Sequence, residues 1–379
     1  MFTIIIGGDL APTTSNYSIF ENADLLTLLG EDLIEIFKYA NLKIFNLELP
    51  LTQSNGNISK AGPNLKAPPS VIKGIEYLNP IILTLANNHI MDYGKDGLTD
   101  TFTILNDNNI KHCGAGSSLN EASKPLILIE NNIKVGIYAC AENEFGIASE
   151  TECGANPFDP LETPDQISAL KSNCNYVIVI YHGGKEHYRY PSPQLQKNCR
   201  KLVEKGADLV VCQHSHCIGT FEKYINGTIV YGQGNFIFDY LDIECWQTSL
   251  LVKLDFDIDS FNVDYIPIVK SSNVIRIPKI DEWNYILEKF YERSENIKYP
   301  EIVKNKYKAF SLSNVDNYLR EFIGFGKWFN RFDRFILNGL ILKLIYKRKK
   351  RLIIQNFIEC EAHRELIIEG LKEKLKFEE

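Results

Sequence analysis

Five short apolar runs in this 379-residue chain are each followed at once by residues that can hold a metal or move a proton. After Ile4–Ile6 comes Gly7-Gly8-Asp9, and after Ile44-Phe45 comes Asn46-Leu47-Glu48. Leu83–Ala86 leads into Asn87-Asn88-His89, and Val177–Tyr181 into His182-Gly183-Gly184-Lys185-Glu186. Leu209–Cys212 ends in Gln213-His214-Ser215-His216. Carboxylates, an amide oxygen and imidazoles without thiolate form a mixed oxygen and nitrogen donor set. Such a set suits Mn, Fe, Zn, Ni or Mg better than Cu(I) or an iron–sulfur cluster. One carboxylate can bridge two cations, and His214 and His216, at alternate positions, can serve one each. Two divalent ions roughly 3.5–4 Å apart lower the pKa of a water and clamp an in-line displacement at phosphorus.

Residues spread over more than 200 positions meet only if a fold collects them. Short runs rich in Val, Ile and Tyr predict strands over Thr3–Ile6, Leu42–Phe45, Ile81–Leu85, Lys134–Ala139, Tyr176–Tyr181, Asp208–Cys212 and Thr228–Tyr231. Between them lie helical patterns. Asp24–Tyr39 puts Leu25, Leu28, Leu29, Leu33, Ile36 and Phe37 on one face, and Pro193–Lys205 follows a proline start signal. This alternation predicts a layered α/β domain with largely parallel strands, whose carboxyl ends form the ligand crevice. Ser249–Lys270 reads as two alternating strands around Asp257–Asn262, a hairpin that closes the domain. From about Pro278 the pattern turns to long charged helices, Ile280–Ile297 and Val315–Phe377, with a break near Gly324-Phe325-Gly326. The expected organisation is a domain over residues 1–275 and a helical extension over 276–379.

Composition bounds the function. With 45% hydrophobic and 23% charged residues the chain is neither disordered nor fibrous, and its net charge of −7 argues against general nucleic-acid binding. The nine cysteines are odd in number, scattered and without a C-x-x-C pair, as in reduced intracellular proteins. Met1 leads straight into Phe2-Thr3-Ile4 with no basic, then apolar, leader pattern, so a cytoplasmic protein is expected.

Read in order, Gly8-Asp9, Asn46-Leu47-Glu48-Leu49-Pro50, Ala86-Asn87-Asn88-His89, Gly114-Ala115-Gly116, His182-Gly183-Gly184-x-Glu186, Gly206-Ala207-Asp208, His214-Ser215-His216 and Tyr231-Gly232-Gln233-Gly234-Asn235-Phe236 form a pattern. It resembles the bacterial capsule-synthesis CapA family, linked to poly-γ-glutamate synthesis and similar to calcineurin-like metallophosphoesterases. The resemblance covers roughly residues 1–270 and implies a four-layer α/β/β/α sandwich. By position it implies Asp9 as the first-motif carboxylate and Glu48 as the bridging one. Asn88, His182 and His214 match the ligands of one metal, and His216 with Asp9 those of the other. His89 matches the imidazole that assists the leaving group, while Glu186 and Asn235 line the pocket. Phosphoesterases usually place a His two residues after the first Asp; here that residue is Ala11, so one or two divalent ions (Mn, Fe, Zn or Mg) are expected.

The leading expectation is a metal-dependent hydrolase, phosphoester-type, acting on a small molecule or polymer precursor in capsule synthesis. Two rivals stand beside it: a non-catalytic component of a membrane polymer-synthesis complex, and a proton-transfer enzyme on a peptide. Cys212 and Cys217 flank the His pair but are read as buried thiols rather than ligands. Residues 320–379 carry 14 basic and 9 acidic residues, leaving the body at −12. Within that tail, Phe325, Trp328, Phe329, Phe332, Phe335 and Ile336 fall at helical spacing before the basic run Lys347–Arg351. A tail of this kind either packs its apolar stripe on the body or meets an anionic membrane or a synthase partner.

Overall fold

In β1 (Phe2–Leu10) both faces of the strand are apolar, and the two faces enter different cores. Ile4 and Ile6 join one buried cluster and Ile5 another, as expected of a strand enclosed on both sides. The computed structural model describes residues 2–238, 243–257, 260–271 and 273–376. The next strands are β2 (Leu42–Leu47), β3 (Ile81–Thr84), β4 (Lys111–Cys113), β5 (Ala115–Gly116), β6 (Leu126–Glu130), β7 (Ile133–Ala141) and β8 (Gly154–Ala155). They are followed by β9 (Tyr176–His182), β10 (Leu209–Gln213), β11 (Phe221–Tyr224), β12 (Gly227–Val230), β13 (Thr248–Phe256), β14 (Phe261–Ser271) and β15 (Val274–Arg276).

One sheet runs β15-β14-β13-β1-β2-β3-β4 and a second runs β11-β12-β10-β9-β7-β6; β5 and β8 pair separately. The strands joined by helices are parallel, namely β1 to β4 in one sheet and β7, β9 and β10 in the other, and β12, reached through β11, pairs parallel with β10. The hairpin strands β13 to β15, and the edges β6 and β11, are antiparallel. The expected hairpin is therefore present, with nine-residue β13 pairing in continuous register with β14 from Thr248↔Val269 to Phe256↔Phe261.

Three cores define four layers. The middle one takes Ile4, Ile44 and Val252 from the first sheet and Ile137, Ile180 and Val211 from the second, so the sheets face each other. On the outer face of the first sheet, Phe45, Leu83 and Leu251 pack with helices α1 (Tyr17–Glu21), α2 (Leu25–Tyr39), α3 (Ile72–Glu76) and α4 (Gly94–Asp107). On the outer face of the second, Val179, Tyr181 and Val210 pack with α6 (Glu162–Lys171) and α7 (Pro193–Glu204); α5 (Leu119–Ala122) is a single short turn. The α/β/β/α sandwich implied by the resemblance is the one observed. The expected helix over Asp24–Tyr39 is present, capped by Asp24, whose side chain accepts from the Thr27 amide, but it is not continuous: Gly30 sits at φ +74°, which only glycine adopts at no cost.

The body runs past the last strand. Helix α8 (Ile280–Asn296) buries Phe290 completely, stacked on Phe221 at 5.1 Å and edge-on to Tyr265 at 4.8 Å, so the first compact unit spans Met1–Tyr307. The second unit, Lys308–Glu379, holds the rest of α9 (Pro300–Ile323), then α10 (Lys327–Phe335), α11 (Leu340–Ile345), α12 (Arg348–Glu359) and α13 (Glu361–Lys376). The break expected near Gly324 separates α9 from α10, and further breaks follow at the ends of α10, α11 and α12. Among the described residues no helix is long and apolar enough to cross a membrane.

Candidate metal centre

The pairing of β1 with β2 slips between Ile6↔Ile44 and Asp9↔Asn46, so three steps in β1 face two in β2. This bulge at Gly7-Gly8 reverses the alternation. Leu10, which would otherwise follow Ile4 and Ile6 between the sheets, joins Ile5 on the helix side, and Asp9 turns inward. A side chain at Gly8 has no room, because its Cβ would lie 1.9 Å from the Gly234 carbonyl oxygen. That close approach lets the loop after β12 dock on β1: the Phe236 and Ile237 amides donate to the Asp9 carbonyl, at 2.9 and 3.0 Å. Asn235 is thereby fixed beside Asp9.

Both sheets contribute to one buried cluster. From the first come Asp9, then Glu48 and Asn88 just beyond β2 and β3; from the second come His182, His214 and His216 at the ends of β9 and β10. His182 Nε2 lies 3.1 Å from Asn88 Oδ1, 3.2 Å from Glu48 Oε1 and 3.1 Å from His214 Nδ1. Nearby, His216 Nδ1 is 3.4 Å from Asp9 Oδ2 and 2.7 Å from Asn235 Oδ1. Ligand atoms of Asp9, Glu48 and His182 lie within 4.8 Å of one another, and so do those of Glu48, His214 and His216. Glu48 is common to both groups.

His214 and His216 hold left-handed backbone angles, φ +73° and +53°. Such residues cost on the order of 1–3 kcal/mol each and persist where the surroundings over-determine them. Here the His187 amide donates to the Ser215 carbonyl at 2.8 Å, and Gln213 Nε2 donates to the Gly7 carbonyl at 3.2 Å. The turn is thus tied to both sheets.

The charges in the cluster are poorly balanced by protein alone. Burial, then the negative charge of Asp9, pushes Glu48 up to about 8. Burial also works to raise Asp9, but the hydrogen bond from His216 and the nearby imidazoles outweigh it and hold Asp9 at about 2. Burial opposes a charge on His216, yet the carboxylates of Glu48 and Asp9 raise it to about 9. Burial lowers His182 to about 4 and, with the other imidazoles, holds His214 well below its ordinary value. Glu48 is wholly inaccessible, and neither of its carboxylate oxygens has a hydrogen-bond partner; the buried Asn235 amide nitrogen also lacks one. An unpartnered buried carboxylate is costly unless a cation neutralises it. Donor separations of 3.1 and 3.2 Å are near the edge of a coordination shell with bonds of roughly 2.0–2.2 Å. The residues present therefore fit divalent metal.

His89 stands at the margin of this cluster, its charge felt by Glu48 and His182. Asn87 places it, accepting from the His89 and Ile90 amides while donating to the Leu47 carbonyl at 2.8 Å. His89 Nδ1 is 2.7 Å from Asp92 Oδ2, which leaves Nε2 as the nitrogen for proton transfer. Asp92 also accepts from the Leu65 amide at 2.6 Å and pairs closely with Lys60, whose side chain is nearly inaccessible. Lys60 and Asp92 were not singled out from the sequence. Asp92 lies three residues past His89, a helical-turn spacing that was available as a clue; Lys60 sits in a strandless loop with no local signal. Asn46 and Asn87 lay inside the quoted motifs, and here Asn46 donates to Asp9 Oδ1 at 2.8 Å.

Glu186 lies exposed in the loop after β9; burial would raise its pKa, but the charges of His214 and His216 bring it down. It borders the cluster rather than entering it. The wall beside His216 is aromatic: Trp246 tilts over its ring at 4.8 Å, Phe238 meets it edge-on at 5.6 Å, and Trp246 Nε1 donates to His187 Nε2 at 2.8 Å. Cys212 points away into the outer core, 3.5 Å from Cys199, while Cys217 packs with Cys245 and Trp246.

A family model described as "Bacterial capsule synthesis protein PGA_cap" matches residues 3–240, a span that holds every residue of the cluster. The chain belongs to this family. Among PGA_cap relatives, "Capsule biosynthesis protein CapA" of Bacillus anthracis is 31% identical over 203 residues, covering 51% of this chain and 49% of that protein. "PGA biosynthesis protein CapA" of Bacillus subtilis is 31% identical over 210 residues, covering 54% and 55%. The chain spans about half the length of the curated relatives it matches. Of solved structures, one titled as a novel phosphatase from Mycoplasma pneumoniae is 15% identical, with a TM-score of 0.44 over 72% of this chain and 94% of that one.

Proposed function

We propose that this PGA_cap protein is a metal-dependent hydrolase of phosphoester-type bonds, serving capsule or poly-γ-glutamate synthesis on a small or polymer-precursor substrate. The observation that carries it is Glu48: a wholly buried carboxylate with both oxygens unpartnered, among Asp9, Asn88 and three imidazoles from two sheets. Asp9, Glu48, His182, His214, His216 and Asn88 would hold one or two divalent ions, which when bound supply Lewis acidity and lower the pKa of water. The chain's own residues do the rest. His89, oriented through Nδ1 by Asp92, holds a proton at Nε2 for the leaving group. Trp246 and Phe238 keep bulk water from the His216 side. Glu186 and Asn235 border the space where substrate would sit.

The test is metal content by plasma mass spectrometry on protein purified without chelator, with turnover of an aryl phosphodiester, for wild type, Glu48→Gln and His214→Ala. About one or two transition-metal equivalents in the wild type are expected, with metal and turnover both lost in folded variants. Unchanged turnover in both variants would sink the mechanism.

A second reading, a binding component without catalysis, is favoured by Ala11. The position where phosphoesterases carry a metal-ligating His is buried in the apolar core on the helix side, its amide donating to the Ile237 carbonyl at 2.7 Å. Metal retained without turnover on any phosphoester would select that reading.

A further inference from the structure

The second compact unit has a core of few residues, Leu319, Leu342 and Tyr346, with Ile323, Ile345 and Ile354 against it. Many of its remaining large apolar side chains are exposed. In α10, Trp328 is 83% exposed and Phe335 73%, and Phe329, Phe332 and Ile336 are exposed as well. Positions 328, 332 and 335–336 recur every three or four residues, so they share one helical face. Leu340 and Leu344, also exposed, carry the apolar surface into α11. Helix α12 buries none of its residues.

The charge on the segment itself is almost wholly positive, although the exposed Glu321 of α9 borders the same groove as Arg331, Arg334 and Phe335. Residues 327–351 contain nine Lys and Arg and a single acid, Asp333. That acid is interior: it is buried, its carboxylate accepts from the Ile341 amide at 2.9 Å, and it lies 3.9 Å from Arg320 Nε. What solvent meets is Arg331, Arg334, Lys343 and the run Lys347–Arg351, all exposed. Arg331 lies over the Trp328 ring and Arg334 over the Phe335 ring, at 5.8 and 5.5 Å, so cations rim the aromatic face. A net-positive rim around an aromatic and aliphatic stripe complements a surface that is anionic outside and apolar beneath. A bilayer with acidic headgroups has that profile. Nucleic acid offers phosphates and stacking bases but nothing to receive Ile336, Leu340 and Leu344, and a protein partner would need its own acidic, apolar face.

We propose that residues 327–351 dock the protein on the surface of an anionic bilayer, with Trp328, Phe332, Phe335 and Ile336 at the acyl boundary and Lys347–Arg351 on the headgroups. The segment lies on the membrane rather than through it, because no described helix is long and apolar enough to cross. This inference is independent of any hydrolytic activity.

The test uses the full chain in flotation with vesicles of phosphatidylcholine, alone or with about a third phosphatidylglycerol. Two variants accompany it: Trp328→Ala with Phe335→Ala, and Lys347, Arg348, Lys349, Lys350 and Arg351 each changed to Gln. The wild type should float with the anionic vesicles, stay down with the neutral ones, and release at high salt. Each headgroup contact by a basic residue is worth about fivefold in partition, so the five-fold charge variant should lose at least a hundredfold. The aromatic variant should lose at least tenfold, and both should keep the wild-type circular dichroism. Three results would overturn the proposal. One is absence of binding to anionic vesicles, and another is binding undiminished in both variants. The third is occupation of the face by something else, read as self-association abolished by the aromatic variant or as binding of a single-stranded oligonucleotide that outcompetes the vesicles and is lost in the aromatic variant.

Discussion

Asp92→Ala removes an acceptor that three donors share: the Lys60 ammonium, the Leu65 amide at 2.6 Å and His89 Nδ1 at 2.7 Å. The Lys60 side chain is 2% exposed and that of Asp92 not at all, so the variant leaves a buried cation without its counter-charge. Breaking a buried pair from one side costs about 3–5 kcal/mol. Lys60→Met is milder. Asp92 then keeps two N–H donors, and the methionine fills the aliphatic space, so a loss of about 1–3 kcal/mol is expected. In the double variant neither charge is stranded, and the combined loss should fall short of the sum by roughly 2 kcal/mol. Urea unfolding of the four proteins measures the cycle. Hydrogen exchange locates it, because the Leu65 amide and the Ile58 amide, which donates to the Asp92 carbonyl, should lose protection together in Asp92→Ala. Single losses that add to within about 0.5 kcal/mol would refute the idea that Lys60 and Asp92 act as one buried unit.

Gly8→Ala should cost the centre its donors without unfolding the sandwich. A Cβ placed 1.9 Å from the Gly234 carbonyl must push the Asn235 loop off β1; retention of wild-type metal content would contradict this. The pH response of chelator-treated protein has a definite sign. Glu48, raised from 4.5 to about 8, and His216, raised from 6.5 to about 9, bind protons more tightly folded than unfolded. Their contribution is whole at low pH and is lost as pH rises through those folded values. His182, lowered from 6.5 to about 4, acts in the opposite sense only below pH 6.5. The metal-free melting temperature should therefore fall between pH 6.5 and 9; a rise over that range would show that these groups are not in the charge states described.

The sequence carried the strands that end in the cluster because each is a run of apolar residues punctuated by a polar one, a signal both local and strong. The seven predicted strands coincide with β1, β2, β3, β7, β9, β10 and β12. What escaped was non-local or short. Strands β4, β5, β8 and β15 have three residues or fewer and no room for a period. The half-exposed antiparallel edges β6 and β11, of five and four residues, escaped as well, and β11 lacks the continuous apolar run that marked the inner strands. Helix α9 begins at Pro300, whose start signal was overshadowed by charge, and the interruption of α2 at Gly30 depends on a dihedral that composition does not reveal. The inward turn of Asp9 arises from one extra residue in the register with β2, which is a property of the pair of strands and not of either alone. Lys60 reaches Asp92 from 32 residues away through a loop without periodicity, so only the folded chain brings it into view.

The division of donors between two sheets makes the centre a gauge of how those sheets are registered. Asp9, Glu48 and Asn88 move with one layer; His182, His214 and His216 move with the other. The layers meet through a core of aliphatic side chains such as Ile44, Val135 and Val252. Any change of thickness there, a methylene added or removed, is transmitted as a shift of one half of the coordination set against the other, since close-packed interiors pass strain on rather than absorb it. An ion held by both halves would rivet the sandwich shut, so metal affinity and the spacing of the two layers become a single mechanical quantity. A substitution that touches no ligand can tune the centre simply by changing the gap it has to bridge.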